Sequence, residues 1–251
     1  MKDALKVFIG YDSREPEAFD VCAASLLRHA SIPISIIKLD QRRLRYLGLY
    51  DRPFRMDGKQ PIDERDGKPF STEFSFSRFL VPAMSLYEGY SIFCDSDFLF
   101  TQDIASIYDF MDINHAVHVV KHEQRPSEQY KMDGMKQTTY QRKNWSSFVL
   151  WNNEHPANRA LTTRAANHES GSWLHGFSWL RDDEIGSLPL HWNYLADVSP
   201  DWEMREPPIA VHYTLGIPTI KGYENCQFAD LWTAEFNRLR QAETSNLRVV
   251  A

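Results

Sequence analysis

The stretch "YSIFCDSDFLF" (residues 90–100) places three polar residues between two runs of large apolar side chains. Short apolar runs rich in aromatic residues are typical of buried strands. Alternate residues of a strand face the same way, so Asp95 and Asp97 point together while Ser96 points oppositely. Because an unpaired buried charge is very costly, the two carboxylates need a positive partner.

The N-terminal sequence indicates the architecture around this strand. The segments "LKVFIGY" (5–11) and "PISIIKLD" (33–40) are apolar runs of strand length, and residues 15–30 between them repeat apolar side chains at helical spacing. Asp12 or Ser13 is expected to cap that helix. A strand, a helix and a second strand in succession predict parallel pairing and a Rossmann-like, three-layer α/β/α fold.

The composition limits the classes of protein that need to be considered. The chain has 251 residues, of which 43% are hydrophobic and 25% are charged, and its net charge of −6 argues against binding to nucleic acid. No apolar run approaches the length of about eighteen residues that a transmembrane helix needs. The cysteines, which are Cys22, Cys94 and Cys226, are widely separated, and this favours a reducing cytoplasm. Peripheral attachment to a membrane stays open.

Two charged segments interrupt the alternation of strands and helices. Residues 41–70 and 121–144 are polar and carry scattered Gly or Pro residues. We expect both to run over the surface and to close over a bound ligand.

The position of the two aspartates suggests a metal site. Ligands of open α/β sheets bind beyond the carboxyl ends of the strands, where Asp95 and Asp97 are expected to lie. Two convergent carboxylates suit manganese (Mn²⁺) or magnesium (Mg²⁺), which would share its other positions with a phosphate. In the alternative interpretation, one aspartate caps the following turn and the other pairs with an arginine, since so short a motif often occurs by chance.

Four motifs in order favour the metal interpretation: "VFIGYD" (7–12), Arg78 in the helical segment before the metal strand, "DSDFLFTQDIASIYDF" (95–110) and "HYTLGIPTIKGY" (212–223). Together they resemble the family 8 glycosyltransferases, retaining GT-A enzymes that use manganese and a nucleotide-sugar donor. The resemblance covers roughly residues 5 to 225, and its specificity lies in the order of the motifs. It implies a single GT-A-like domain over residues 1–251 with a mixed central sheet, in which residues 229–251 form a C-terminal helix and tail.

The resemblance also implies roles for individual residues. The metal ligands would be Asp95, Asp97 and His212. The donor, most often a UDP-sugar in this family, would contact Tyr11, Asp12, Arg78, Ser96 and Lys221. Asp182 and Asp183 are candidates for the catalytic group on the far side of the sugar, and the "LP…N" ending of the family is present as Leu188, Pro189 and Asn193.

Other interpretations stay open at this point. A phosphatase of the haloacid-dehalogenase type also places D-x-D after an apolar strand and needs a later acidic pair such as Asp182–Asp183. A catalytically silent homologue that only binds a nucleotide sugar is the other alternative. His115, His118 and His122 are expected to be ordinary hydrogen-bonded or solvent-facing histidines, because on a strand His115 does not share the face of the other two. The sequence leaves open the sugar, the oligomeric state, and whether the acceptor is a carbohydrate, a lipid-linked sugar or a protein.

Overall fold

The chain begins with a strand, a helix and a second strand, as the sequence predicts. A computed structural model describes residues 4–122, 130–131, 135–136, 142, 144–200 and 207–249. The strands are β1 (Leu5–Gly10), β2 (Ile34–Leu39), β3 (Phe54–Asp57), β4 (Gln60–Asp63), β5 (Tyr90–Cys94), β6 (Phe98–Phe100), β7 (Val117–Val119), β8 (Tyr130–Lys131), β9 (Met135–Lys136), β10 (Phe148–Asn152), β11 (Ile185–Ser187), β12 (Tyr194–Leu195) and β13 (Ala210–His212). The α-helices are α1 (Pro16–His29), α2 (Gln41–Tyr46), α3 (Val81–Met84), α4 (Thr163–His168), α5 (Gly171–His175) and α6 (Ala229–Val249).

The central sheet is mixed, which confirms the predicted sheet type. Its strand order is β11-β7-β10-β5-β1-β2. Strand β1 pairs in parallel with both β2 and β5, so the parallel pairing predicted from the N-terminal strand–helix–strand unit is present. Strand β10 runs antiparallel to β5 and β7, and β11 is parallel to β7.

A smaller sheet of order β12-β13-β6 continues from the end of β5. Strand β6 follows β5 after three residues and pairs antiparallel with β13, in a register that places Phe98 opposite His212. This pairing brings a segment from near the C-terminus to the carboxyl end of the central strand.

Alternate residues of the central strands bury their side chains on opposite faces of the sheet. Phe8 and Phe93 belong to a core that the helical segment 77–84, α4 and α5 cover. Val7 and Ile92 belong to a second core that α1 and the 3₁₀ turn Ile104–Phe110 cover. The period of two in a strand therefore produces helices on both faces, which is the predicted three-layer architecture.

The segment 41–70, which the sequence predicts to run over the surface, forms regular secondary structure. It folds into α2 and the antiparallel hairpin of β3 and β4. Arg52 forms two hydrogen bonds to the carboxylate of Asp63, at 2.8 and 2.6 Å, and both side chains are only 1% exposed. Arg52 also donates to the carbonyl of Glu169, so this pair joins the segment to the end of α4. The second expected excursion, 121–144, lies mostly outside the described residues.

Two local predictions need correction. Neither Asp12 nor Ser13 caps α1. The carboxylate of Asp12 accepts hydrogen bonds from the guanidinium of Arg14, and the hydroxyl of Ser13 donates to Glu73. Glu15 occupies the cap position without a side-chain hydrogen bond. The sequence also predicts one helix from about His155 to Asn167, and in the structure this stretch is divided into a 3₁₀ turn (Pro156–Ala160) and α4, which Thr162 caps.

The C-terminal helix α6 packs on α1. Trp232 is buried in a shared apolar cluster, and the carboxylate of Glu235 pairs with Arg28 of α1. None of the described helices is both long and apolar enough to cross a bilayer.

Candidate functional site

The D-x-D motif forms the joint between the central sheet and the small sheet. The backbone N–H of Asp95 donates to the carbonyl of Ser147 at 2.9 Å, beside the start of β10. Two residues later, the carbonyl of Asp97 accepts a hydrogen bond of 2.8 Å from the N–H of Tyr213, directly after β13. The motif therefore lies at the carboxyl end of β5, the edge at which open α/β sheets bind ligands.

Three potential metal ligands meet at this joint. One ligand atom from each of Asp95, Asp97 and His212 lies within 4.8 Å of the other two. Nε2 of His212 is 3.3 Å from Oδ1 of Asp97, and the imidazole, fully buried, stacks on Phe98 with 4.5 Å between ring centroids. The sequence places His212 115 positions after Asp97, and the pairing of β6 with β13 brings the two together.

A chain of hydrogen bonds sets the tautomer of His212. Nδ2 of Asn193 donates to Oγ of Ser147 at 2.9 Å, so Oδ1 of Asn193 is the atom that faces Nδ1 of His212, at 3.0 Å. Since Oδ1 can only accept, Nδ1 of His212 carries the proton. In the neutral imidazole the lone pair is then on Nε2, which lies 3.3 Å from Oδ1 of Asp97 and makes no hydrogen bond to a described residue.

Arg78 contacts the motif from the 3₁₀ turn Ser77–Leu80. Its Nη1 lies 2.8 Å from Oδ1 of Asp95 and donates to the carbonyl of Ser146, also at 2.8 Å. The guanidinium carbon lies 5.0 Å from the ring centroid of Phe93. The pairing with arginine that the alternative interpretation required is thus present, together with the convergence that the metal interpretation required.

The loop after β1 lies at the same edge of the sheet, because β1 pairs in parallel with β5. The carboxylate of Asp12 is buried against Arg14 and accepts a hydrogen bond of 3.2 Å from the N–H of Glu73. Nζ of Lys38 lies 3.3 Å from the ring centroid of Tyr11. These contacts hold Tyr11 and Asp12 in a fixed loop beside the motif.

Two titratable residues that the sequence reasoning did not single out as part of the site lie next to it. Burial, with the charges of Asp97 and Asp12, raises the pKa of Glu15 to about 8, so this carboxyl is mostly protonated at pH 7. Burial and the neighbouring His212 lower the pKa of His122 to about 4. The signal for Glu15 was its place in the connection between β1 and α1, next to the predicted metal strand.

The remaining predicted site residues are more dispersed. Ser96 is buried between the aspartates, and Lys221 is exposed in the segment after β13. Asp182 and Asp183 are exposed and pair with Arg142 and Arg181, respectively. Both precede β11. The first residue of β11 is opposite Val117 of β7, Val117 is opposite Trp151 of β10, and Trp151 is opposite Ser91 near the start of β5. The catalytic role of this acidic pair stays a prediction.

Comparison with known proteins assigns the chain to a family. No protein-family model matches the sequence. The Protein CDI of Arabidopsis thaliana is 43% identical to it, over 98% of this chain and 93% of that protein. The chain belongs to the Protein CDI family.

Solved structures with the fold of this CDI-family chain are glycosyltransferases. GlyE of Streptococcus pneumoniae TIGR4 aligns with a TM-score of 0.58 and 14% identity over 94% of the CDI-family chain, which spans 60% of the GlyE chain. The galactosyltransferase LgtC, in complex with donor and acceptor sugar analogs, aligns with a TM-score of 0.55 and 11% identity over 93% of this chain and 96% of LgtC. The CDI-family chain therefore has the GT-A glycosyltransferase fold.

The three potential metal ligands of the CDI-family chain suit a divalent cation. Two carboxylates supply hard oxygen ligands, and the Nε2 lone pair of His212 supplies a borderline nitrogen ligand, a mixture that suits Mn²⁺ better than Mg²⁺. The side chain of Asp97 is 21% exposed, so the group of ligands is accessible from solvent on one side. The arrangement can hold one ion with positions open for a ligand of opposite charge.

Proposed function

We propose that this protein is a metal-dependent glycosyltransferase that transfers a sugar from a nucleoside-diphosphate sugar. The observation that carries the proposal is the convergence of Asp95, Asp97 and His212 at the carboxyl end of a central strand in a GT-A fold. Such a site meets the main chemical demand of the reaction, since the leaving nucleoside diphosphate gains negative charge as the glycosidic bond breaks.

The proposed roles of the residues follow from their positions. Asp95, Asp97 and Nε2 of His212 would hold Mn²⁺, or Mg²⁺ in its place, and the bound cation would stabilise charge on the diphosphate. Arg78 pairs with Asp95, and its guanidinium would contact the sugar or the diphosphate. Tyr11 and Asp12 would meet the base and ribose, Ser96 the ribose, and Lys221 the diphosphate.

The finer features of the proposal rest on the resemblance to family 8. They are a UDP-sugar as donor, transfer of a hexose with retention of configuration, and one catalytic domain over residues 1–251. Asp182 or Asp183 would act on the far side of the sugar. A cytoplasmic site of action with a carbohydrate, lipid-linked or protein acceptor belongs to the same proposal.

A catalytically silent nucleotide-sugar-binding protein is the second candidate function. The pairing of Asp95 with Arg78 favours it, because a carboxylate neutralised by arginine is a weaker ligand for a cation. The phosphatase alternative receives no support, since it needs Asp182–Asp183 beside the first aspartate, and the described ligand atoms that cluster there come from Asp95, Asp97 and His212.

The direct test is donor hydrolysis with and without manganese. Incubation of the protein with a panel of nucleoside-diphosphate sugars is expected to release free sugar and nucleoside diphosphate in Mn²⁺, because glycosyltransferases commonly transfer sugar to water. EDTA should abolish the release. Manganese-dependent donor binding without any release would favour the silent homologue, and release of phosphate from a phosphate monoester would favour the phosphatase.

A second test addresses Asn193, which positions His212. Asn193→Ala removes the acceptor of the Nδ1 proton, so the imidazole is free to turn or to change tautomer. Loss of a residue that supports a metal ligand in this way lowers the metal affinity about 10–100-fold. We expect a loss in that range for Mn²⁺, measured by electron paramagnetic resonance titration of free Mn²⁺.

The matched control is Asn158→Ala. Asn158 is equally buried, but its Nδ2 donates to the carbonyls of Ala116 and Asn152, at the other end of the sheet. This variant should lose stability and keep the Mn²⁺ affinity of the wild type. Equal Mn²⁺ affinities for Asn193→Ala and the wild type would contradict the positioning role.

A further inference from the structure

A second group of potential metal ligands lies away from the D-x-D motif. Among the described residues, two groups of three have ligand atoms within 4.8 Å of one another, and the second consists of Asp112, His115 and His118. His118 lies in β7, and the other two lie in the loop before it.

The strand register separates this group from the candidate donor site. Val117 of β7 is opposite Trp151 of β10, and Trp151 is opposite Ser91 near the start of β5. The D-x-D motif follows the other end of β5. The two groups therefore lie at opposite ends of the strands of the central sheet, and one ion cannot bind to both.

The distances within the group are those of a metal site. Nε2 of His118 is 3.3 Å, and Nδ1 of His115 is 2.7 Å, from Oδ2 of Asp112. Ligands at about 2.0–2.1 Å from a tetrahedral zinc ion are about 3.3 Å apart. The distance between Asp112 and His118 matches this value, and the shorter distance between Asp112 and His115 would have to lengthen. We propose that Asp112, His115 and His118 bind a divalent transition metal ion of the zinc class.

The surrounding structure holds the ligands in place. Oδ1 of Asp112 accepts hydrogen bonds from the N–H groups of Asn114 and His115, which leaves Oδ2 to face the two imidazoles. The hydroxyl of Tyr90 donates to the carbonyl of Asp112, and Nδ2 of Asn152 donates to the carbonyl of His115. Both ends of the ligand loop are thus fixed to the central sheet.

His118 is fixed by a glycine on the neighbouring strand. Gly186 of β11 is in register with His118, and a Cβ at Gly186 would lie 2.2 Å from Cδ2 and 2.4 Å from Nε2 of the imidazole. The ring therefore occupies the space that any other residue at 186 would fill. This placement turns a strand histidine toward Asp112 in the preceding loop.

The chemistry of the group indicates the kind of ion. Two imidazoles and one carboxylate form a borderline ligand set that suits Zn²⁺, with Co²⁺ and Ni²⁺ as close substitutes, better than Mg²⁺ or Ca²⁺. The side chains of Asp112 and His115 are 40% and 33% exposed, whereas that of His118 is 7% exposed. Solvent can therefore reach one side of the site, and water can supply the fourth ligand.

The test is a zinc titration in which the D-x-D site is first disabled. The Asp97→Asn protein is stripped with EDTA and titrated with Zn²⁺ against a chromophoric chelator. We expect about one tight equivalent of zinc. Adding His115→Ala or Asp112→Asn should weaken this binding about 100-fold or more, because loss of a ligand costs at least as much as loss of its supporting contact.

His168→Ala in the same Asp97→Asn background is the matched control, since His168 is exposed at the end of α4 and should not affect zinc binding. Zinc should also raise the unfolding temperature of the Asp97→Asn protein and leave that of the His115→Ala double variant unchanged. Two results would overturn the proposal: no tight zinc binding by Asp97→Asn, or equal binding by its His115→Ala and His168→Ala derivatives. In either case the Asp112–His115 contact is only a hydrogen bond that braces the loop.

Discussion

Asp97→Asn and His212→Ala are each expected to lower manganese-dependent donor turnover about 100-fold or more, since loss of electrostatic stabilisation at a developing charge has effects of this size. His212→Ala removes a ligand atom from the joint between the two sheets, and Asp97→Asn replaces a charged carboxylate with a neutral amide. Donor affinity in Mn²⁺, measured by calorimetry, should fall with turnover. The unfolding midpoint should change little for Asp97→Asn, because its side chain is accessible and packs little apolar surface.

The double variant distinguishes a shared ion from two independent contacts. If both side chains act through one cation, the loss in the double variant is much smaller than the sum of the two single losses in free energy. Asp109→Asn, a change of an exposed carboxylate after the motif, is the control and should keep full turnover. Additive losses, or full Mn²⁺-dependent binding by His212→Ala, would refute the metal assignment.

The largest expected effect on stability comes from the buried pair Arg52–Asp63. Asp63→Ala leaves the guanidinium of Arg52 buried without its carboxylate, a change that costs about 3–5 kcal/mol. Arg52 lies 4.0 Å above the ring of Phe76 and also donates to backbone carbonyls at α4. The loss of Asp63 should therefore loosen the hairpin, α4 and the core between them together, as measured by urea denaturation.

The exposed pair Arg181–Asp183 provides the contrast. Arg181→Ala should change the stability little, because solvent screens an exposed ion pair and such a pair contributes little to folding. Replacing both members of the buried pair, as Arg52→Met with Asp63→Leu, should recover part of the stability lost in Asp63→Ala because no charge is then left unpaired. If the Asp63→Ala protein is as stable as the Arg181→Ala protein, water reaches the Arg52–Asp63 pair.

The central part of the fold could be predicted because it depends on local periodicity. The apolar runs of β1, β2 and β5 and the helical spacing of α1 are visible within windows of a few residues, and β1 pairs with β2 as expected. The direction of Asp95 and Asp97 followed from the period of two in a strand. The association with His212 came from the order of motifs, since no local rule connects residues so far apart.

The features that the sequence did not reveal depend on contacts between distant segments. Cys22 and Cys94 are 72 positions apart, yet their sulfur atoms are 3.9 Å apart between α1 and β5. The sequence predicts a strand at His115, and on a strand His115 cannot share a face with His118. In the structure it lies in the loop before β7, and an aspartate-centred turn at Asp112 directs it back toward His118.

The segment 41–70 shows the same limit. Its charged composition is typical of an exposed loop, and the sequence offered no sign that Arg52 and Asp63 bury their charges against each other. The partner that permits this burial, the end of α4, is more than a hundred positions away. Composition describes the average residue of such a segment and not the two that anchor it.

The joint formed by the D-x-D motif has a mechanical consequence. Asp95 is hydrogen-bonded to the central sheet and Asp97 to the small sheet, with one residue between them. A relative displacement of the two sheets would therefore change the distance between the two carboxylates. A cation bound by both carboxylates would connect the two sheets and make the joint between them stiffer. Force applied across the two sheets should meet greater resistance in the loaded protein than in the stripped one.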